Sequence, residues 1–217
     1  MTKIYLISPP KIDLKSFSIQ LNKALQTNLV PIFQLRLKDY SDKDIEIYTK
    51  ELIKICRDNN CLFILNDNFE LALNLGCDGV HLGADDINKN IIKNKPKNFP
   101  KNFPKNFPKN FLMGSSCYDS KHLAMESAEM GFDYLSFGAF FESKTKISKG
   151  KPDISIINWA SEILNLPVVA IGGINANNCR IFAKNNIDLM AVISFVWEHS
   201  SGVKKALEEL EFNLKSS

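Results

Sequence analysis

The sequence predicts an α/β protein of the (β/α)8 class: eight parallel strands closed into a barrel with helices outside. Three observations carry this reading. Short apolar runs alternate with stretches of helical period along the whole chain. The runs number eight, which favours a closed barrel over an open doubly wound sheet. Polar side chains collect at the C-terminal ends of these runs, the end at which barrel enzymes place their chemistry. With 217 residues, 45% of them hydrophobic, the chain can bury one sizeable core.

In order, "KIYLIS" (3–8) reads as the first strand, and 14–26 as a helix with Leu14, Phe17, Leu21 and Leu25 on one face. "PIFQLRLK" (31–38) is the second strand. A helix follows from Ser41, which forms a capping-box pattern with Asp44, and runs to about Asn59. "CLFILN" (61–66) is the third strand, a short helix reaches Gly76, and "GVHL" (79–82) is the fourth strand. "FLMGS" (111–115) is the fifth, followed by a helix over 120–130 that Gly131 ends. "DYLSFG" (133–138) is the sixth, with a polar loop and a helix over 153–164. "PVVAIGG" (167–173) and "DLMAVIS" (188–194) are the seventh and eighth, with helices over 176–184 and 203–212. Strands alternating with helices pair in parallel through crossover connections.

The exception to this regularity is "KNFPKNFPKNFPKNF" (97–111), part of an expected insertion over 95–111 between the fourth and fifth strands. Proline at every fourth residue removes N–H donors and forbids a continuous helix. The strict period points to in-frame duplication, and the segment is expected to be a passenger without a catalytic role. Nothing else interrupts a single domain over 1–217. The net charge of +3, less the four repeat lysines (Lys97, Lys101, Lys105, Lys109), leaves −1. The mild basicity therefore belongs to the insertion and does not point to nucleic acid.

Five cysteines form no C-x-x-C pair, and the three histidines are far apart in sequence. Reduced thiols in a cytoplasmic protein are the expectation. "MTKIYLISPP" has an apolar run too short for a signal peptide or membrane span. A homodimer through the outer helices is compatible with the pattern, although no heptad or apolar patch marks one.

The polar residues on the strands carry the functional signal. Gln34, Arg36 and Lys38 stand at i, i+2 and i+4 and so point to one face, which in a barrel is the inside. Two unpaired cations there would be costly, so an anion is expected to meet them. At the same mouth come Asn66 and Asp67, Asp85 and Asp86, Ser115 and Ser116, then Ser143, Thr145 and Lys146, then Gly172 and Gly173, and Ser194. Cations and carboxylates converging on one rim suggest a polyphosphate with a divalent metal, and Mg²⁺ takes such oxygen ligands. The glycines after the seventh strand would free backbone N–H groups at a helix start for a second, monophosphate site. Two phosphate sites suggest a transfer between two phosphorylated substrates.

At these residues the sequence resembles the thiamine-phosphate synthase family. "QLRLK", "LNDNFELALNLGCDGVHLGADD", "DYLSFGAFFESKTK" and "PVVAIGG" match the family's motifs in order and spacing over essentially the whole chain. The resemblance implies a triosephosphate-isomerase-type barrel that joins hydroxymethylpyrimidine diphosphate to a thiazole ethyl phosphate, giving thiamine phosphate and pyrophosphate. Carried across, it implies that Arg36, Lys38, Asn66 and Lys146 hold the diphosphate, with Gln34 beside it, and that Asp67 and Asp86 ligate Mg²⁺. It further implies that Ser116 approaches the pyrimidine or its diphosphate, and that Ser143, Thr145, Gly173, Ile193 and Ser194 line the thiazole-phosphate pocket. Four places depart from the family's pattern: Ala84 replaces a usual glutamine, and Glu142–Ser143 a proline–threonine pair. Tyr118 stands where histidine is common, and Leu189–Met190 replace smaller residues.

Two other readings compete. A related thiazole tautomerase shares the fold but relies on a histidine near the fifth-strand loop, where this chain has Tyr118. The other is a catalytically impaired homologue that binds phosphorylated ligands without turnover. Retention of Arg36, Lys38, Asp67, Asp86 and Lys146 favours the synthase.

Overall fold

Strand parity decides the architecture. In the computed structural model, described for residues 2–83, 87, 111–142, 152–185 and 187–216, eight parallel strands close into a barrel in sequence order. They are β1 (Lys3–Ile7), β2 (Ile32–Leu35), β3 (Leu62–Asn66), β4 (Gly79–Leu82), β5 (Leu112–Tyr118), β6 (Tyr134–Gly138), β7 (Val168–Ile171) and β8 (Leu189–Val192). Alternate residues enter two separate apolar clusters. Tyr5, Ile7, Ile32, Ile64, Tyr134, Val169 and Ala191 fill the barrel interior. Ile4, Leu6, Phe33, Leu35, Phe63 and Leu135 pack outward against the helices. The period-two alternation of a strand thus splits each run between two cores.

The helices are α1 (Leu14–Leu25), α2 (Asp42–Asp58), α3 (Phe69–Asn74), α4 (Lys121–Glu129), α5 (Ser155–Leu164), α6 (Arg180–Lys184), α7 (Ser194–Trp197) and α8 (Gly202–Lys215). The first four of them start at a capping side chain. Asp13 Oδ1 accepts from the Ser16 amide at 2.9 Å, Ser41 Oγ from Asp44 at 3.2 Å and Ser120 Oγ from Leu123 at 3.2 Å. On α1 the buried side chains are Phe17, Leu21, Ala24 and Leu25, the apolar stripe expected of its period.

The N-terminal end of the barrel is held by three aspartates that each precede an even-numbered strand. Asp78 accepts from the Phe63 amide at 2.7 Å, Asp133 from Met113 at 2.7 Å and Asp188 from Val168 at 2.9 Å. Each carboxylate therefore ties the loop ahead of one strand to the start of the strand beside it. Burial raises the Asp78 pKa, against the amide bond to Phe63, which lowers it.

Several boundaries differ from the sequence expectation. β2 ends at Leu35, so Lys38 lies on the following segment, exposed, with its amide donating to Pro10 O. β5 runs on to Tyr118, with an irregularity between Ser116 and Tyr118 that leaves Tyr118 at φ 54°. The helix expected from 176 starts only at Arg180, because Asn175 and Asn178 build a turn first: Asn178 Oδ1 accepts from the Asn175 amide, and Asn178 Nδ2 donates to Gly173 O. α7 was not expected, and its Trp197 indole donates to Ile7 O at 2.6 Å, closing the end of β1. Of the insertion expected over 95–111, only Phe111 is among the described residues. It is fully buried, edge-on to Phe69 with ring centroids 5.7 Å apart, so the last phenylalanine of the repeat register belongs to the core.

Candidate active site

A cavity of about 640 Å³ opens at the C-terminal end of the barrel. It brings together seven of the residues singled out from sequence: Gln34, Arg36, Asn66, Ser116, Gly173, Ile193 and Ser194. Lys38 is exposed and does not line it, and Asp67 stands at the rim next to Asn66. Asp86, Ser143, Thr145 and Lys146, as well as Ala84, lie outside the described residues.

Arg36 follows directly on β2 and is half-buried, its amide donating to Ser8 Oγ at 2.8 Å. Burial lowers its pKa, and the nearby Asp67 carboxylate pulls it back up. A guanidinium keeps its charge under such a shift. Among the described residues its side chain, which lines the cavity, has no hydrogen bond or salt bridge. A half-desolvated cation in that state is complementary to an anion, because desolvated donors left unmet are costly.

Asp67 adopts φ 65°, and the Asn66 side-chain amide contacts its carboxylate. Its oxygens are the donor type a hard divalent cation takes. An exposed carboxylate beside the cavity fits one Mg²⁺ ligand, and among the described residues no group of three or more His, Cys, Asp or Glu is placed to hold a metal ion.

Deeper in, the barrel interior carries a string of polar groups. Gln34 Nε2 donates to the Tyr5 hydroxyl at 2.8 Å, and the Tyr5 and Tyr134 hydroxyls are 2.9 Å apart. Tyr134 is 3.2 Å from His81 Nδ1, and His81 Nε2 is 2.9 Å from Ser116 Oγ. The strand register assembles them: Asn66 pairs with His81, His81 with Gly114, Gly114 with Tyr134, and Ser116 with Ser136. Burial pushes both phenols well above their ordinary range, so both hydroxyls keep their protons. The Tyr134 ring occupies the space a side chain at Gly114 would need. A Cβ built there would lie 2.0 Å from the ring.

Sequence reasoning missed Tyr5, His81, Tyr134 and Ser136. The signal was present: Tyr134 and Ser136 stand at i and i+2 in "DYLSFG", the same parity that marked Gln34 and Arg36. His81 sits in the apolar run "GVHL", where a polar residue at an inward position is the exception to explain.

The two glycines after β7 serve packing as well as conformation. Gly172 and Gly173 have φ 105° and 63°, and a Cβ at Gly173 would lie 2.3 Å from Glu142 O. The loop after β6 therefore rests against them, with the Phe141 amide donating to Gly172 O at 3.1 Å. No helix starts at these glycines, contrary to the expectation. The nearest helix start inside the cavity wall is Ser194 of α7, after Ile193. Glu142 and Glu198 also line the cavity, as does His199, which is 3.3 Å from Glu209.

The family model described as thiamine monophosphate synthase matches residues 4–196. The chain belongs to this family. Among relatives, the thiamine-phosphate synthase of Rhodospirillum centenum is 36% identical over 207 residues, covering 95% of each chain. That of Erythrobacter litoralis is 37% identical over 202 residues, covering 90% of this chain and 88% of its own. The thiamine phosphate pyrophosphorylase of Pyrococcus furiosus superposes with a TM-score of 0.78 at 29% identity, covering 99% and 96% of the two chains. The family's barrel is thus present here with its cavity at the expected mouth.

Proposed function

We propose that this chain is a thiamine-phosphate synthase, a transferase that couples hydroxymethylpyrimidine diphosphate to a thiazole ethyl phosphate. The observation that carries the site assignment is Arg36: a half-buried guanidinium in the cavity wall with no hydrogen-bond partner among the described residues. Membership of the family supports the choice of reaction. In the coupling, the bond from the pyrimidine methylene carbon to the diphosphate oxygen breaks, and its electron pair leaves with pyrophosphate. The thiazole nitrogen lone pair forms the new C–N bond at that carbon. No proton has to move and no covalent enzyme intermediate is needed, so positioning and charge stabilisation are what the protein supplies.

Arg36, Lys38, Asn66 and Lys146 hold the diphosphate, the first of them already stripped of part of its hydration. Asp67 and Asp86 would hold Mg²⁺, which when bound would supply positive charge to offset that of the pyrophosphate leaving group. Gln34 and Ser116 contact the pyrimidine at the barrel end. Ser143, Thr145, Gly173, Ile193 and Ser194 take the thiazole phosphate, and of these Gly173, Ile193 and Ser194 line the cavity after β7 and β8. Glu142 adds a negative charge to that side, which disfavours a second anion unless a cation offsets it. The buried, free thiols of all five cysteines fit a reducing cytoplasmic setting. No described helix is long and apolar enough to cross a membrane.

The test is formation of thiamine phosphate and pyrophosphate from the two purified substrates, with Mg²⁺ present and after chelation. Product only with Mg²⁺ supports the proposal. Binding of both substrates without product would favour the impaired homologue. Isomerisation of a thiazole carboxylate substrate without coupling would favour the tautomerase, a reading that Tyr118, in place of the histidine it needs, argues against.

A further inference from the structure

Hydrogen-bond counting gives the polar string inside the barrel a direction. Gln34 Nε2 can only donate, so the Tyr5 oxygen accepts there and its own proton goes to its other neighbour, the Tyr134 oxygen. Tyr134 then accepts from Tyr5 and donates to His81 Nδ1, which must be the bare ring nitrogen.

The other end of the string gives the same answer independently. Ser136 Oγ is 3.3 Å from the carbonyl oxygen of Ser115, a contact in which only the hydroxyl can donate. A serine has one proton, so toward His81 Nε2, at 3.4 Å, Ser136 can only accept. Nε2 therefore carries the hydrogen. Its closer neighbour is Ser116 Oγ at 2.9 Å, which accepts in turn. The Ser116 proton has no acceptor among the described residues, and Ser116 lines the cavity.

We infer that this string fixes His81 as the neutral Nε2–H tautomer and so presents the Ser116 hydroxyl to the substrate as a hydrogen-bond donor, with Tyr5 and Tyr134 as positioning residues. The string acts as an orienting device and transfers no proton in the reaction. Its two cavity ends are opposite in character. Ser116 donates, whereas the Gln34 side-chain oxygen is left to accept. That pair is complementary to a heteroaromatic ring bearing an acceptor nitrogen and an amino donor. The substrate part of the inference rests on the proposed function, but the tautomer does not.

The test is a long-range ¹H–¹⁵N correlation spectrum of the ligand-free protein labelled at histidine, above the ordinary histidine pKa of about 6.5. His81 is assigned by difference from a His81→Gln variant. The expected spectrum has a protonated, pyrrole-type Nε2 and a bare, pyridine-type Nδ1. A hydrogen on Nδ1, an imidazolium, or an average of tautomers would overturn the inference. Tyr134→Phe combined with Ser136→Ala, which removes both constraints on the ring, should shift His81 toward an averaged spectrum. It should also lower kcat/KM for the pyrimidine diphosphate about tenfold, the scale of one oriented hydrogen bond. An unchanged His81 spectrum in that variant would show that the string does not set the tautomer. If the double variant does not fold, the spectrum of the native protein decides alone. A native protein with the expected spectrum but no coupling activity would sink the proposed function and leave the string standing.

Discussion

Gly114→Ala tests the packing that holds the string in place. The glycine sits on β5, pairs with Tyr134 on β6, and has an ordinary backbone φ, so replacing it involves no backbone strain. The added Cβ would lie 2.0 Å from Tyr134 Cζ and 2.3 Å from both Cε2 and the hydroxyl oxygen. Carbon contacts settle near 3.5–4.0 Å, so the ring must move by about 1.5 Å. It has little room, with His81 stacked on it at 5.6 Å and Tyr5 edge-on at 6.0 Å. Overpacking of this kind costs about 1–3 kcal/mol, and the two hydrogen bonds that Tyr134 would lose add about 1 kcal/mol each. The sum, roughly 3–5 kcal/mol, corresponds to a fall in Tm of about 6–20 °C for a chain of this size. Thermal melting followed by circular dichroism reads this directly, and kcat/KM should fall with it. Combining Gly114→Ala with Tyr134→Leu should restore part of the stability but not the activity, a non-additive result expected of touching residues. If Gly114→Ala melted and turned over like the parent, the assigned contact and the string built on it would both be refuted.

Arg36→Ala should lower kcat by about 10²–10³ with little change in Tm, the effect of removing one preorganised group from developing charge. Normal turnover would refute the anion site. Asp67→Ala and Lys146→Ala should likewise abolish coupling with the fold intact, whereas Asp133→Ala should lose about 1.5–3 kcal/mol of stability in urea unfolding. The reverse pattern would overturn the assignment of the two carboxylate classes. Burial pushes the Cys77 thiol up to about 12 and the Cys117 thiol up to about 11, from an ordinary value of 9.0. The folded state therefore holds these protons more tightly than the unfolded chain. The resulting stability is fully present below about pH 9 and is lost as pH rises through 11 to 12, which unfolding series across that window would detect. Alkylation of the native protein at pH 8 should be slow at both sites, and rapid labelling there would contradict their burial. Deleting residues 97–104, two repeat units, should leave kcat/KM unchanged, and a large loss would end the passenger reading.

Most of the barrel was legible because its signal is local and repeated. Each apolar run is short, alternates with a helical period, and sends alternate residues to different cores, as Phe33 and Gln34 do on β2. What was not legible depended on where a strand stops. The parity rule carried Lys38 inward with Gln34 and Arg36, but β2 ends at Leu35: Arg36, one residue on, still lines the cavity, whereas Lys38, three residues on, is exposed. The helix expected from 176 was delayed by side-chain bonds of Asn175 and Asn178 to the backbone, which compete locally with helix formation. His81 was passed over for a different reason. As a single polar residue in an apolar run it has no pattern of its own, and its partners come from β5 and β6.

Chain position relative to a strand separates the acidic residues into two roles. Asp78, Asp133 and Asp188 come just before β4, β6 and β8, at the N-terminal end, and their carboxylates are engaged by backbone amides of the neighbouring strand. Asp67 comes just after β3, at the cavity end, where its left-handed backbone and the adjacent Asn66 hold the carboxylate at the rim. The chemistry of the side chain is the same in all four. The difference is one of place: a carboxylate bonded to strand amides at the bottom of a parallel barrel stabilises the loop ahead of a strand, whereas one at the top stands at the end where barrel enzymes bind ligands. Asp86 follows β4 just as Asp67 follows β3, four residues past Leu82. A carboxylate following each of two successive strands is the sequence's reason to expect a divalent cation.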